Sequence, residues 1–276
     1  MQKQSTLIAG LNVHTYTTEA FATSTKPIFA LFVLHGRMGS AEADDMQHFV
    51  TELVAASTEY VGEKDLMVVT FDHRNHGSRL ASSICNLDWK GNPNHALDMY
   101  SIQTGTAKDV SFVMDFLESY LFPLGQRSIA RWGVAGISLG GHSTWIVGAA
   151  DPRVKLVIPI IGCPDYLALM GPRAEAQGVA VGPPHFPENL VKLIRDMSLA
   201  SLPYTSKNDE NPFLGKRVLV LSGGSDMLVP WVASQEFVER LEVGSGHKKY
   251  VVYEGVGHEV TAEMIQAVVG VVLREL

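Results

Sequence analysis

The chain has 276 residues, 46% of them hydrophobic and 18% charged, a composition that builds a packed core and excludes a disordered chain. Its length fits one large α/β domain or two small ones. With 22 Lys+Arg against 29 Asp+Glu the formal charge is −7, and no basic run offers a surface for phosphates, which argues against nucleic acid as a partner.

In chain order, two short strands are predicted near Thr6–Ala9 and Asn12–Thr17, split by a turn at Gly10 and suited to an antiparallel entry into a sheet. Continuous apolar runs follow at Ile28–Leu34, Leu66–Phe71, Ile129–Ala135, Val154–Ile161, Val218–Leu221 and Tyr250–Tyr253. Runs of this kind bury both faces, as strands of a parallel sheet do. Between them, Ala41–Tyr60, Thr106–Tyr120, Leu139–Ala149, Pro230–Leu241 and Glu259–Leu273 carry apolar residues at helical spacing, the crossovers that parallel strands require. The fold class is therefore α/β, with a mostly parallel sheet of eight strands flanked by helices.

Two stretches break the alternation. His73–Tyr100 has no clear period and reads as a long loop with at most a short helix, a length that points to function. Gly162–Pro212 holds seven prolines around a helical segment at Glu188–Ala200. It reads as an excursion from the sheet, a cap or lid of residues 163–212 inserted in a single domain spanning 1–276.

The chemistry-bearing motif is Gly136-Ile137-Ser138-Leu139-Gly140, which sits between a predicted strand and a predicted helix. A tight turn there lifts the Ser138 hydroxyl above the carboxyl edge of the sheet, and N–H groups at the helix start face the same point, where developing negative charge is stabilised. A serine needs a base. His258, in Gly257-His258-Glu259 after the last strand, is placed to be one. The acid that orients it belongs after an intervening strand, which favours Asp226 and leaves Asp165 as the rival. A second oxyanion donor is expected from the loop His35-Gly36-Arg37-Met38-Gly39. The N–H of Arg37 would act beside that of Leu139, with Met38 as the alternative. His35 is read as structural. The Arg37 side chain has three readings: facing solvent, pairing with an acid at the mouth, or binding a substrate carboxylate.

These motifs resemble the α/β-hydrolase superfamily, over about Leu7 to Leu276. The matching pieces are the His35-Gly36 loop, Asp72-His73-Arg74-Asn75-His76-Gly77, Gly136–Gly140, Asp226 and His258. The resemblance implies that Ser138 is the nucleophile, Asp226 the acid after the seventh strand and His258 the base after the eighth. It also implies a cap between the sixth and seventh strands, and a loop-bracing role for Asp72 and Arg74. Asn75 stands where the family usually has glycine, a replacement that Asn tolerates at φ > 0.

The chemistry expected is acyl transfer by a serine hydrolase, with an ester of a small or medium substrate as first reading. An aminopeptidase-like peptidase, a lactonase or a C–C bond hydrolase are the alternatives, and a non-catalytic ligand-binding protein is the reading from another class. The peptidase reading needs an anionic pocket, for which Glu175, Glu188, Asp209 and Glu210 are candidates. Met38, Cys163, Tyr166, Met170, His185 and Phe186 are candidate pocket residues. Neither a cofactor nor a metal is expected: His73 and His76 lack the spacing of a metal motif, and no nucleotide-binding motif is present. Cys85 and Cys163 form no CxxC pair and read as reduced thiols. The first residues lack the pattern of a secretory signal, and no run reaches the ~18 apolar residues of a membrane span. A soluble cytoplasmic protein is the expectation, with its oligomeric state open.

Overall fold

The computed structural model describes residues 1–276. Its elements are β1 (Gln2–Ile8), β2 (Leu11–Thr17), β3 (Ile28–Leu34), α1 (Asp44–Thr58), β4 (Asp65–Phe71), α2 (His95–Leu121), β5 (Ile129–Ile137) and α3 (Leu139–Ala150). After these come β6 (Val154–Ile160), α4 (Tyr166–Ala176), α5 (Glu188–Met197), β7 (Arg217–Gly223), α6 (Val232–Arg240), β8 (His247–Tyr253) and α7 (Ala262–Leu273). All eight strands form one sheet in the order β1-β2-β4-β3-β5-β6-β7-β8. β1 and β2 pair antiparallel with each other, and β2 with β4; every other pairing is parallel.

β3 lies at the centre, and all seven of its residues are fully buried. Its side chains alternate between two cores, as the period of a strand requires. Ile28, Ala30, Phe32 and Leu34 pack with α2, α3 and α6. Phe29, Leu31 and Val33 pack with α1 and α7 on the opposite face. The chain leaves β3 toward β4 on one side and later returns as β5 on the other. That reversal opens a crevice at the carboxyl ends of β3 and β5, where open α/β sheets place their ligands.

The apolar runs predicted as buried strands are strands. Several boundaries differ, and three of them have a clear local reason. β1 begins at Gln2 rather than Thr6, because an edge strand with exposed residues carries no hydrophobic signal. α7 begins at Ala262 rather than Glu259, because the Thr261 hydroxyl caps it by accepting the Met264 N–H, which leaves residues 254–261 free to form a loop. The largest change is at α2, which starts at His95 and runs for 27 residues. The loop predicted to reach Tyr100 therefore ends before His95. Ser101, Gln103, Thr104 and Gly105 interrupt the apolar stripe of α2, and Gly105 is where the Arg74 side chain crosses the helix, its Cδ 2.6 Å from where a Cβ would stand.

What precedes α2 is two short 3₁₀ turns, Gly77–Arg79 and Ser83–Asn86, held by polar contacts. Asp72 accepts hydrogen bonds from the Ala41 N–H (2.8 Å) and from the N–H and hydroxyl of Ser78 (both 2.7 Å), which ties the loop after β3 to the loop after β4. Arg74 grips Asp109 of α2 through two hydrogen bonds, of 3.1 and 2.8 Å. Asn75 takes φ +58°. Its side chain donates to the Ser82 carbonyl and Asn86 Oδ1 and accepts from the N–H groups of Ala81 and Ser82, a framework that glycine would not supply. The segment between β6 and β7 carries α4 and α5. With Phe186 from the loop between them, they pack through Tyr166, Met170 and Leu190 against Trp89, Met99 and Tyr100, forming a third core beyond the sheet edge. No helix is long and apolar enough to cross a membrane.

Candidate active site

Ser138 follows β5 directly and precedes α3, with φ +52° and ψ −107°, a conformation that costs roughly 1–3 kcal/mol for a non-glycine residue. The surroundings hold it there. Its N–H donates to the Ile160 carbonyl at 2.9 Å, and the Gly140 N–H donates to the His35 carbonyl at 3.1 Å. The flanking glycines are required by close backbone approach. A Cβ on Gly136 would lie 2.3 Å from the Gly140 carbonyl oxygen, and one on Gly140 would lie 2.4 Å from that of Leu34.

The hydroxyl so presented meets His258, with Ser138 Oγ 2.8 Å from His258 Nε2. On the other side of the ring, His258 Nδ1 lies 2.7 Å from Asp226 Oδ2. A carboxylate only accepts, so Nδ1 carries the proton and Nε2 offers its lone pair to the serine. Asp226 Oδ1 accepts the N–H groups of Leu228 and Val229, each at 2.8 Å. Burial works against ionisation of this carboxyl, but the hydrogen bonds from His258 and from those two N–H groups outweigh it and hold its pKa below the ordinary value. Asp165, the rival acid, instead caps α4 by accepting the Ala168 N–H at 3.0 Å. Ser138, Asp226 and His258 thus come together from the ends of β5, β7 and β8.

The loop after β3 forms the adjacent wall. The N–H groups of Arg37 and Met38 donate to no backbone acceptor, and both residues line a cleft of about 370 Å³ with Ser138 and His258. His35 is structural: its Nδ1 donates to the Gly36 carbonyl at 2.7 Å, while its Nε2 accepts the His73 N–H at 3.0 Å. Burial pulls its pKa down to about 4. The Arg37 guanidinium, on a half-buried residue, donates to the Asn86 carbonyl at 2.9 Å.

Among the candidate pocket residues, Met38 lines this cleft. Met170 and Phe186 are fully buried in the core between α4, α5 and Trp89. Cys163 and Tyr166 line a separate small cavity beside His142, and burial pushes the Cys163 thiol up to about 12, which leaves it an unreactive thiol. His185 is tied to the Pro93 carbonyl at 2.9 Å. Those five residues tie the segment between β6 and β7 to the body and are not among the residues lining the cleft, a correction to their reading as pocket residues. Glu175, Glu188, Asp209 and Glu210 are exposed and lie off the cleft. The remaining wall comes from Asp45, His48 and Phe49 of α1, from Leu228, and from Glu259 and Val260. Sequence reasoning missed these. Only the position of Glu259 beside His258 carried a signal.

Residues 92–178 match a family described as PhoPQ-activated pathogenicity-related protein. No curated protein matches the chain. Among solved structures, TT1662 from Thermus thermophilus is similar with a TM-score of 0.65 at 22% identity, over 100% of this chain and 98% of that one. Est1E from Butyrivibrio proteoclasticus, solved with bound ferulic acid, has a TM-score of 0.60 at 17% identity, over 99% and 97%. The mouse alpha/beta hydrolase domain-containing protein 10 has a TM-score of 0.58 at 14% identity, over 99% and 97%. Near-complete coverage in both directions, with the sheet order described above, shows that this chain has the α/β-hydrolase fold.

Proposed function

We propose that the chain is a serine hydrolase that cleaves a carboxylic ester of a small or medium substrate through an acyl-enzyme, with residues 163–212 acting as its cap. The observation that carries the reading is the unbroken hydrogen-bond chain from Ser138 Oγ through His258 to Asp226. Likeness to solved structures described as esterases, such as Pf2001 from Pyrococcus furiosus, agrees with it.

In this reading His258 Nε2 takes the Ser138 proton as Oγ bonds to the substrate carbonyl carbon. The carbonyl oxygen becomes an oxyanion beside the N–H groups of Leu139 and Arg37, the latter among the groups with no acceptor in the protein. Asp226 keeps His258 in the required tautomer and stabilises the imidazolium. His258 Nε2–H then protonates the leaving alkoxide as its bond to the acyl carbon breaks. Water, deprotonated by the same nitrogen, attacks the acyl-enzyme and restores Ser138. The strained φ of Ser138 fixes the attacking oxygen before substrate arrives, so orientation is paid for in folding.

The test is a rate profile on p-nitrophenyl esters from acetate to palmitate, with Ser138→Ala and His258→Ala alongside and folding checked by circular dichroism. Each variant is expected to lose at least ~10³-fold in kcat. The chain-length optimum sizes the cleft. Folded protein that neither turns over an acyl substrate nor reacts with a fluorophosphonate at Ser138 sinks the proposal.

A further inference from the structure

Beside the cleft is a group of hydrogen-bond donors without acceptors. Arg37 and Arg173 take part in no ion pair, although Arg74, Arg79, Arg127, Arg131, Arg153 and Arg217 all do. The Arg37 guanidinium has one contact, to the Asn86 carbonyl. That of Arg173 has only a weak one, from Nη1 to Met170 Sδ at 3.5 Å. Both are half-buried, and burial, with Arg37 as a second cause, pulls the Arg173 pKa below its ordinary value. His95, fully buried at the start of α2, leaves both ring nitrogens without a hydrogen bond of standard geometry, the Leu87 carbonyl notwithstanding. Trp89 packs edge-on to His95 with ring centroids 4.6 Å apart, and its buried Nε1–H has no acceptor either. Burial, ahead of the charges of Arg37 and Arg173, pushes His95 down to about 4, and Trp89, which packs on it, belongs to the same cluster as Met170, the residue that Arg173 touches. Leu139, the residue after Ser138, belongs to that same cluster, and Arg37 lines the cleft with Ser138, which puts the group beside the serine.

Leaving buried donors unpaired is costly unless a ligand pairs them. We propose that Arg37, Arg173, His95 and Trp89 form a receptor for a carboxylate carried by the substrate, so that the ester cleaved at Ser138 is an anionic one. The inference rests on the hydrolase reading above and names its substrate class. The cleft is polarised to match. Asp45 and Glu259 line it from α1 and from the loop before α7, over one face of the sheet. Arg37 reaches toward Asn86, over the α2 face. A substrate carboxylate is therefore drawn to one end and repelled from the other, which fixes its direction across Ser138.

The test compares matched esters: mono-p-nitrophenyl glutarate with p-nitrophenyl pentanoate for charge on the acyl side, and 3-carboxyphenyl butyrate with phenyl butyrate for charge on the alcohol side. One anionic member is expected to have a kcat/KM about tenfold or more above its neutral partner. Arg173→Gln should raise its KM by about tenfold to a hundredfold while the neutral ester is unchanged, Arg173→Lys should recover part of the loss, and Trp89→Phe should give a smaller KM effect. A preference absent from both pairs, or one that survives Arg173→Gln, overturns the proposal. Calorimetric titration of glutarate into Ser138→Ala tests the receptor independently of turnover. Binding that disappears in Ser138→Ala/Arg173→Gln supports it even if no ester is cleaved, an outcome that would sink only the hydrolase reading. Absence of glutarate binding in a protein that cleaves only neutral esters overturns the receptor alone.

Discussion

The buried histidines predict a steep loss of stability in mild acid. Burial is the leading cause that lowers His35, His95 and His142 to about 4, against 6.5 in the unfolded chain. At 1%, 0% and 4% exposure, solvent screening gives no reason for a large discount. The folded chain holds these rings neutral, so between those two values the unfolded chain binds more protons and stability rises with pH. The loss begins as pH falls through about 6.5 and is complete below about 4. At pH 5 each ring contributes a deficit of about 2 kcal/mol relative to pH 7, and three together one of about 6 kcal/mol. Net stabilities are about 5–15 kcal/mol, so the effect takes a large part of the total. Urea unfolding followed by tryptophan fluorescence at pH 7 and pH 5 measures it directly. His142→Gln should flatten the pH dependence by about 2 kcal/mol. A stability that changes by less than about 1 kcal/mol between the two pH values would refute the reasoning, and would mean that the rings charge in place or gain water on protonation.

Other perturbations follow from particular contacts. Asp226→Asn presents an amide to His258 Nδ1, allows the wrong tautomer and should lower kcat ~10³–10⁴-fold with the fold intact; single-turnover kinetics with a p-nitrophenyl ester would show it. Gly140→Ala drives a Cβ to 2.4 Å from the Leu34 carbonyl, backbone that cannot step aside, and should cost about 3 kcal/mol in a denaturant titration. Asn75→Gly relieves the positive φ but removes the four side-chain hydrogen bonds of Asn75. A net loss of about 2 kcal/mol is expected, and a stabilised variant would show that relief of the positive φ outweighs the lost hydrogen bonds.

How much could be read in advance depended on whether a feature was local. β3 was legible to the residue, because seven consecutive apolar side chains between a proline and a His-Gly turn admit few other structures. The elbow was legible because glycine on both sides of Ser138 is a local steric demand. β1 and the first turns of α2 were not, since their burial is decided elsewhere. The β1 strand is an edge paired through its backbone, and the start of α2 is covered by the segment between β6 and β7, with the Tyr166 hydroxyl donating to the Ala96 carbonyl at 2.6 Å. A helix that is polar in sequence and buried by a later segment leaves no periodic signal.

The same distinction applies within the site. Ser138 and His258 each sit in a glycine-marked turn, and the order of strands brought Asp226 between them. Sequence alone left Asp165 as a rival, and what separates the two is direction. Asp226 turns back under His258 because its other oxygen is fixed by the N–H groups of Leu228 and Val229, whereas Asp165 is spent on the first turn of α4. The pocket was misread for a related reason. Aromatic and sulfur-bearing residues in a proline-broken excursion suit either a ligand or a second core. Tyr166, Met170 and Phe186 serve the core, because α4 and α5 have an apolar side to bury and Trp89 and Met99 stand opposite. What faces substrate is left to the residues this packing does not use. Two of those are arginines that form no ion pair with the protein, and half-buried guanidinium groups beside the orphaned donors of Trp89 and His95 are what the proposed carboxylate receptor requires.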